Sequence, residues 1–190
     1  MLRLVSRQSG TTMMEVLVSI VIVVIGLLGL AGLQSRASVS EMEAFQRAQA
    51  LVLLQDMVDR INANRKLSMQ YVTAAPLGTG NAIAACAGTI ALRDLCEWQN
   101  ALLGAAESSG TGAVGAMIGA RGCITNITAT MPREFQIAVV WQGLVPTAVP
   151  GATDCGIGLY GDDKTRRAVT ANVIIGCLQN NLANGLCVTP

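Results

Sequence analysis

Gly10-Thr11-Thr12-Met13-Met14-Glu15, followed by the uncharged run Val16–Ser35, is the stretch that decides how this chain is organised. The run is twenty residues long. As a helix rising 1.5 Å per residue it reaches roughly 30 Å, the thickness of a bilayer core. A single acid, Glu15, stands at its head. A carboxylate in hydrocarbon is costly and calls for a cation, so it marks function by default. The residues ahead of the run, Met1–Gly10, are short and polar and carry Arg3 and Arg7. A secretory signal has another order, with the apolar region ahead of the cut and discarded. Here the small-residue cut with basic residues before it is Gly10, and the apolar run follows it. Cleavage after Gly10 keeps the membrane helix and frees an amine at Thr11.

The helical pattern continues past the membrane length. Between Arg36 and Asn64 there is neither proline nor glycine. Leu51, Leu54, Val58 and Ile61 form an apolar stripe at steps of three, four and three. Glu43 with Arg47 and Asp56 with Arg60 are acid-before-base pairs on the solvated side, each worth a few tenths of a kcal/mol. Residues 11–64 therefore read as one helix, apolar in 11–35 and amphipathic in 36–64. Gly26, Gly29 and Gly32 recur at every third position and are read as a close-packing face, because small residues let helices approach in lipid.

Beyond the helix the chain is a globular region, 65–190. Residues 65–85, with Pro76, Gly78 and Gly80, read as a loop. Ala91–Glu107 reads as a short helix with Leu92, Leu95, Cys96, Leu102 and Leu103 on one face. Ser108–Gly122 reads as an exposed glycine-rich connection. The period then becomes two: Phe135, Ile137, Val139 and Trp141 alternate with their neighbours, as do Val169, Ala171, Val173 and Ile175. Cys123–Thr130 is a weaker strand. Strands without long helices between them imply an antiparallel sheet, whose apolar face can lie on the Leu51–Ile61 stripe.

Composition excludes several functions. There is no histidine, which removes histidine-based nucleophilic catalysis and metal binding together. Removing residues 1–10 takes two of the 13 basic side chains and leaves 11 against 12 acidic ones, so clustered capture of nucleic acid is not expected. The cysteines Cys86, Cys96, Cys123, Cys155, Cys177 and Cys187 all lie beyond the apolar run. An even number on one side of a membrane suggests disulfides in an exported compartment, with Cys177–Cys187 the preferred pair and the others open. No Cys-x-x-Cys pair supports a metal, and no cofactor is expected. Asp94 with Glu97, and Asp154 with Asp162 and Asp163, read as solvated turns in preference to paired catalytic carboxylates or a calcium site.

The leader order resembles the class III leader of type IV prepilins, cut after glycine by a prepilin peptidase. That resemblance implies that Gly10 and Thr11 flank the cleavage site, that Thr11 is open to N-methylation by the peptidase/methyltransferase, and that Glu15 becomes the fifth mature residue. The family usually has phenylalanine where this chain has Thr11. It also implies that Glu15 of one subunit pairs with the N-terminus of a neighbour during docking. Gly26-Leu27-Leu28-Gly29-Leu30-Ala31-Gly32-Leu33-Gln34, Arg47–Ala50, Gln55–Asn64 and Val139–Gly143 are similar to the PilV family of minor pilins. The implied fold is α+β and pilin-like: a long N-terminal helix, membrane-spanning in its first half, packed on a C-terminal antiparallel sheet. The implied function is a non-enzymatic minor pilin, anchored in the inner membrane with a periplasmic domain and then carried into a pilus with other pilins. A minor pseudopilin of a type II secretion system shares the leader, acid and helix. A single-pass membrane enzyme is the remaining alternative.

Overall fold

The computed structural model describes residues 12–105, 108–109, 112–113, 117–128 and 130–177. Its element order is a helix α1 (Met13–Ala63), a 3-10 turn (Arg65–Tyr71), β1 (Leu77–Gly78), α2 (Ile90–Leu102), β2 (Ser108–Ser109), β3 (Gly112–Ala113), β4 (Arg121–Asn126), β5 (Arg133–Gln142), a 3-10 turn (Asp163–Thr165) and β6 (Arg166–Ile175). Residues up to Met42 and residues from Glu43 form two compact units.

α1 is 51 residues of unbroken helix. Within the second unit its buried side chains are Gln46, Ala50, Leu54, Met57 and Ile61. This corrects the expected stripe by about one residue: Leu54 and Ile61 are inside, but Leu51 is 47% exposed and Val58 is half-buried. The leucines marked the wrong edge of the stripe. The indole of Trp98 reaches α1 and donates from Nε1 to the Leu53 carbonyl at 2.9 Å, and the packed line follows the smaller Ala50 and flexible Met57. Helix α1 ends where Asn64 bonds back to the Arg60 carbonyl at 3.1 Å, and the chain tightens at once into the first 3-10 turn. The expected loop over 65–85 is therefore partly ordered.

The four-stranded sheet runs β1-β4-β5-β6, antiparallel throughout. β5 and β6 pair over ten successive residues, from Arg133↔Ile175 to Gln142↔Arg166. Alternation places Phe135, Ile137, Val139, Val173 and Ile175 on one face, in a single core with the α1 stripe and α2. The antiparallel sheet packed on the second unit's part of α1 is the α+β arrangement that the two periodicities imply, and it agrees with the pilin-like fold that the resemblance implies. The opposite face of β5 is not solvated as the alternation suggested. Ala138 and Val140 are buried there with Cys123, Cys155 and Tyr160 under the segment that follows β5.

α2 begins at Thr89, whose hydroxyl accepts from the Leu92 amide, and ends before Gly104, at a φ of 72°. Its buried residues are Ala91, Asp94, Trp98 and Leu102, so the expected leucine face is also rotated: Leu92 is exposed and Leu95 only flanks the core. The reason lies across the interface. Gly122 in β4 leaves the space that the Trp98 ring fills, and a Cβ there would lie 2.2 Å from Trp98 Cη2. A two-residue hairpin, β2–β3, and the start of β4 replace part of the expected 108–122 connection.

Candidate functional site

The first unit presents an acid at the head of an apolar helix. Glu15 lies in the first turn of α1, where its amide donates to the Thr12 carbonyl at 3.0 Å. Its carbonyl accepts from the Ser19 hydroxyl at 2.7 Å. Glu15 is exposed, and its carboxylate forms no ion pair among the described residues. The helix start itself favours an acid there, by under about 1 kcal/mol. Behind it the apolar side chains are exposed, from Val16 at 47% to Leu33 at 66%. The span is long and apolar enough to cross a membrane. At Gly26, Gly29 and Gly32 an added Cβ would meet no atom within 4 Å. No packing among the described residues asks for these glycines.

The second unit holds its part of α1 with three side-chain clamps. At Glu43, Arg167 reaches the carboxylate from Nη2 at 3.1 Å, and the Leu144 amide donates to it at 3.0 Å. Gly143 makes room for that guanidinium, since a Cβ there would lie 2.6 Å from Arg167 Cζ. Burial pushes the Glu43 pKa up, but the Arg167 hydrogen bond, the Leu144 amide and the guanidinium charge outweigh it and hold the carboxyl below its ordinary value of 4.5. The expected partner of Glu43 was Arg47; the structure gives it Arg167 instead. Trp98 on Leu53 is the second clamp.

Arg60 is the third. It binds Asp56 through Nε at 3.0 Å, as the i,i+4 spacing suggested, but its Nη1 also reaches Asp94 at 2.9 Å and Glu97 at 2.7 Å. Asp94, read as a solvated turn, is buried on α2 and accepts from Tyr71 Oη and from Asn64 Nδ2. Burial raises the Tyr71 pKa, and the neighbouring Asp94 carboxylate raises it further. Desolvation alone would lower the Arg60 pKa; the hydrogen bonds to Glu97 and Asp56 and the surrounding carboxylates raise it instead. The arrangement is a saturated ion network, a structural tie between α1, α2 and the 3-10 turn. Asp162 caps the second 3-10 turn, and Asp163 accepts from the Gly158 amide at 3.0 Å. Among the described residues no group of three or more histidine, cysteine or acidic side chains is placed to hold a metal.

Cys86–Cys96 joins the segment ahead of α2 to α2, and Cys123–Cys155 crosses the outer face of the sheet; these are the two disulfides with both cysteines among the described residues. Cys177 is disulfide-bonded as well. Cys187, its preferred partner in the sequence, lies outside the described residues, as do Gly10 and Thr11. The structure thus brings together residues that the sequence reading kept apart, above all Arg60, Tyr71 and Asp94. Their spacing carries no signal for this. The one available hint was an acid, Asp94, between Ala91 and Trp98 on a helix face that would otherwise be apolar.

Residues 32–101 match the sequence profile of a family described as Tt1218-like, type IV pilin Tt1218. No curated protein and no solved structure matches the chain. The matched region covers the amphipathic part of α1, the first 3-10 turn, β1 and nearly all of α2. Together with the apolar N-terminal helix and the four-stranded sheet, this similarity supports a type IV pilin, a structural subunit that is anchored in a membrane and assembles with other pilins.

Proposed function

We propose that this chain is a minor pilin of the PilV branch, processed by a prepilin peptidase after Gly10 and incorporated in or near the tip of a type IV pilus. Residues 1–10 are the leader, 11–35 the membrane and filament-core helix, 36–64 its amphipathic continuation, and 65–190 the periplasmic domain. Thr11 carries the new amine, the substrate for N-methylation. Glu15 is the docking charge, and Gly26, Gly29 and Gly32 let neighbouring helices approach.

The observation that carries this reading is Glu15: an acid in the first turn of an exposed apolar helix, whose carboxylate has no ion-pair partner among the described residues. A charge pair in low dielectric costs far less than two isolated ions, and the pairing is directional, so it sets subunit register. The amine freed at Thr11 of a neighbour is the cation this geometry lacks. N-terminal sequencing of the protein from membranes is expected to begin at Thr11; a chain that still begins at Met1 overturns the processing step. Glu15→Leu is expected to insert normally in the membrane yet to vanish from sheared pili. Unchanged incorporation of that variant removes the docking role.

A further inference from the structure

The outer face of the sheet carries a cleft of about 420 Å³, in the size range of small-molecule sites. Its floor is the cross-strand pair Thr125↔Gln136 beside Cys123. One wall is the arch Thr73–Pro76. It is fixed where the Thr73 amide donates to the Ile124 carbonyl at 3.0 Å and the Ile124 amide returns a bond to Thr73 Oγ1 at 3.0 Å. The other wall is the segment 151–156. It is bolted to β4 by Cys123–Cys155 and held from beneath by Arg166, which is 1% exposed. Arg166 donates from Nη1 to the carbonyls of Thr153 at 3.0 Å and Cys155 at 3.1 Å, and from Nη2 to that of Pro150 at 3.3 Å. A buried guanidinium spent on three carbonyls of one loop fixes that loop's backbone. The cleft is therefore preorganised on both sides, which lowers the cost of ligand binding.

Its chemistry is uneven in a telling way. The half-buried Gln136 amide and the exposed Asp154 carboxylate make no hydrogen bond among the described residues, which leaves both open to a ligand. Thr125 adds a hydroxyl whose only bond, to the Gln136 carbonyl, is long at 3.5 Å. Among the described residues the lining has no cation, no aromatic ring and no large aliphatic side chain. An anion would meet the Asp154 carboxylate while the nearby Arg166 guanidinium is buried and held by loop carbonyls, and a hydrophobic ligand would find little to bury against. A neutral ligand with several hydroxyls satisfies all three free groups, with adjacent hydroxyls donating to the carboxylate. We propose that this cleft is a binding site for a neutral saccharide no larger than a disaccharide.

The test uses the full chain in micelles of dodecylphosphocholine, a detergent without a sugar headgroup. Saturation-transfer NMR and titration are run with lactose, maltose, cellobiose and diacetylchitobiose, and with glucose 6-phosphate as the anionic control. Saturable binding of a neutral disaccharide is expected. Gln136→Leu should weaken it about tenfold, the loss of one hydrogen bond at the half-buried floor of the cleft. Gly151→Phe should abolish it. Gly151 is chosen because a Cβ there meets no atom within 4 Å, and the variant is compared with wild type at an equal thermal midpoint. The proposal fails if no neutral sugar of the set saturates, if both variants bind as wild type does, or if glucose 6-phosphate binds as tightly. None of these outcomes depends on processing or filament incorporation.

Discussion

Two glycines, one in each unit, show how differently the two regions are made. Gly29 lies in the apolar half of α1, where a methyl group would touch nothing; Gly122 lies in β4, where the same group would strike the Trp98 ring. The first unit shows its large apolar side chains to the outside, and the second buries Phe135, Ile137, Val139 and their neighbours completely. One region is shaped for partners beyond the chain and the other for contacts within it. A helix can obey both rules in succession because its backbone bonds are local and indifferent to what surrounds the side chains.

The sharpest way to break the contrast is to make one change twice. Gly122→Ala is expected to cost about 3 kcal/mol, since neither the β4 backbone nor an indole clamped to α1 can move aside cheaply; calorimetric unfolding of the domain measures it. Gly29→Ala is expected to leave that unfolding unchanged and to reduce the subunit's share in sheared pili. A lower melting point from Gly29→Ala would show that the first unit is not independent of internal packing. Next in size is Asp94→Ala, at about 2–3 kcal/mol, because Tyr71 loses its acceptor while Arg60 keeps only its more exposed carboxylates. Tyr71→Phe with Asp94→Ala should then cost less than the sum of the single changes. Replacing Cys86 and Cys96 together removes a short closed loop and is expected to cost about 2–3 kcal/mol, with no effect on membrane insertion.

The smallest effect is that of pH on Glu43. Its pKa is lower in the folded protein than its ordinary 4.5. Its contribution is therefore complete above that value and is lost as pH falls through the folded value. For a partly exposed pair this amounts to under about 1 kcal/mol. A Glu43→Gln variant should lose the corresponding part of the acid limb in a stability profile between neutral pH and pH 3 and otherwise behave as wild type.

The long helix, the sheet and the two best strands were legible because each rests on a period that the backbone imposes. The faces were legible only to within one residue. Leu51 and Leu92 look like core but lie outside it, since Ala50 and Trp98 fit each side of the interface better. The ion network was not legible at all: Arg60 and Asp94 lie 34 positions apart, and nothing local ties an acid on one helix to an arginine on another. Arg166 shows the same limit, because its role depends on a loop whose path the sequence leaves open. The proposed leader and docking acid stand apart, because that reading rests on the order of charges and apolar residues along the chain and on no contact within the fold.

The clamps on α1 are spread along its length, at Glu43, Leu53 and Arg60, over about 26 Å of helix. A pull directed down the helix axis strains all of them at once, in shear, where a pull at right angles would open them one after another. In a fibre that bears tension along such rods, the domain resists as a riveted plate does, and its breaking load reflects the set of ties acting together.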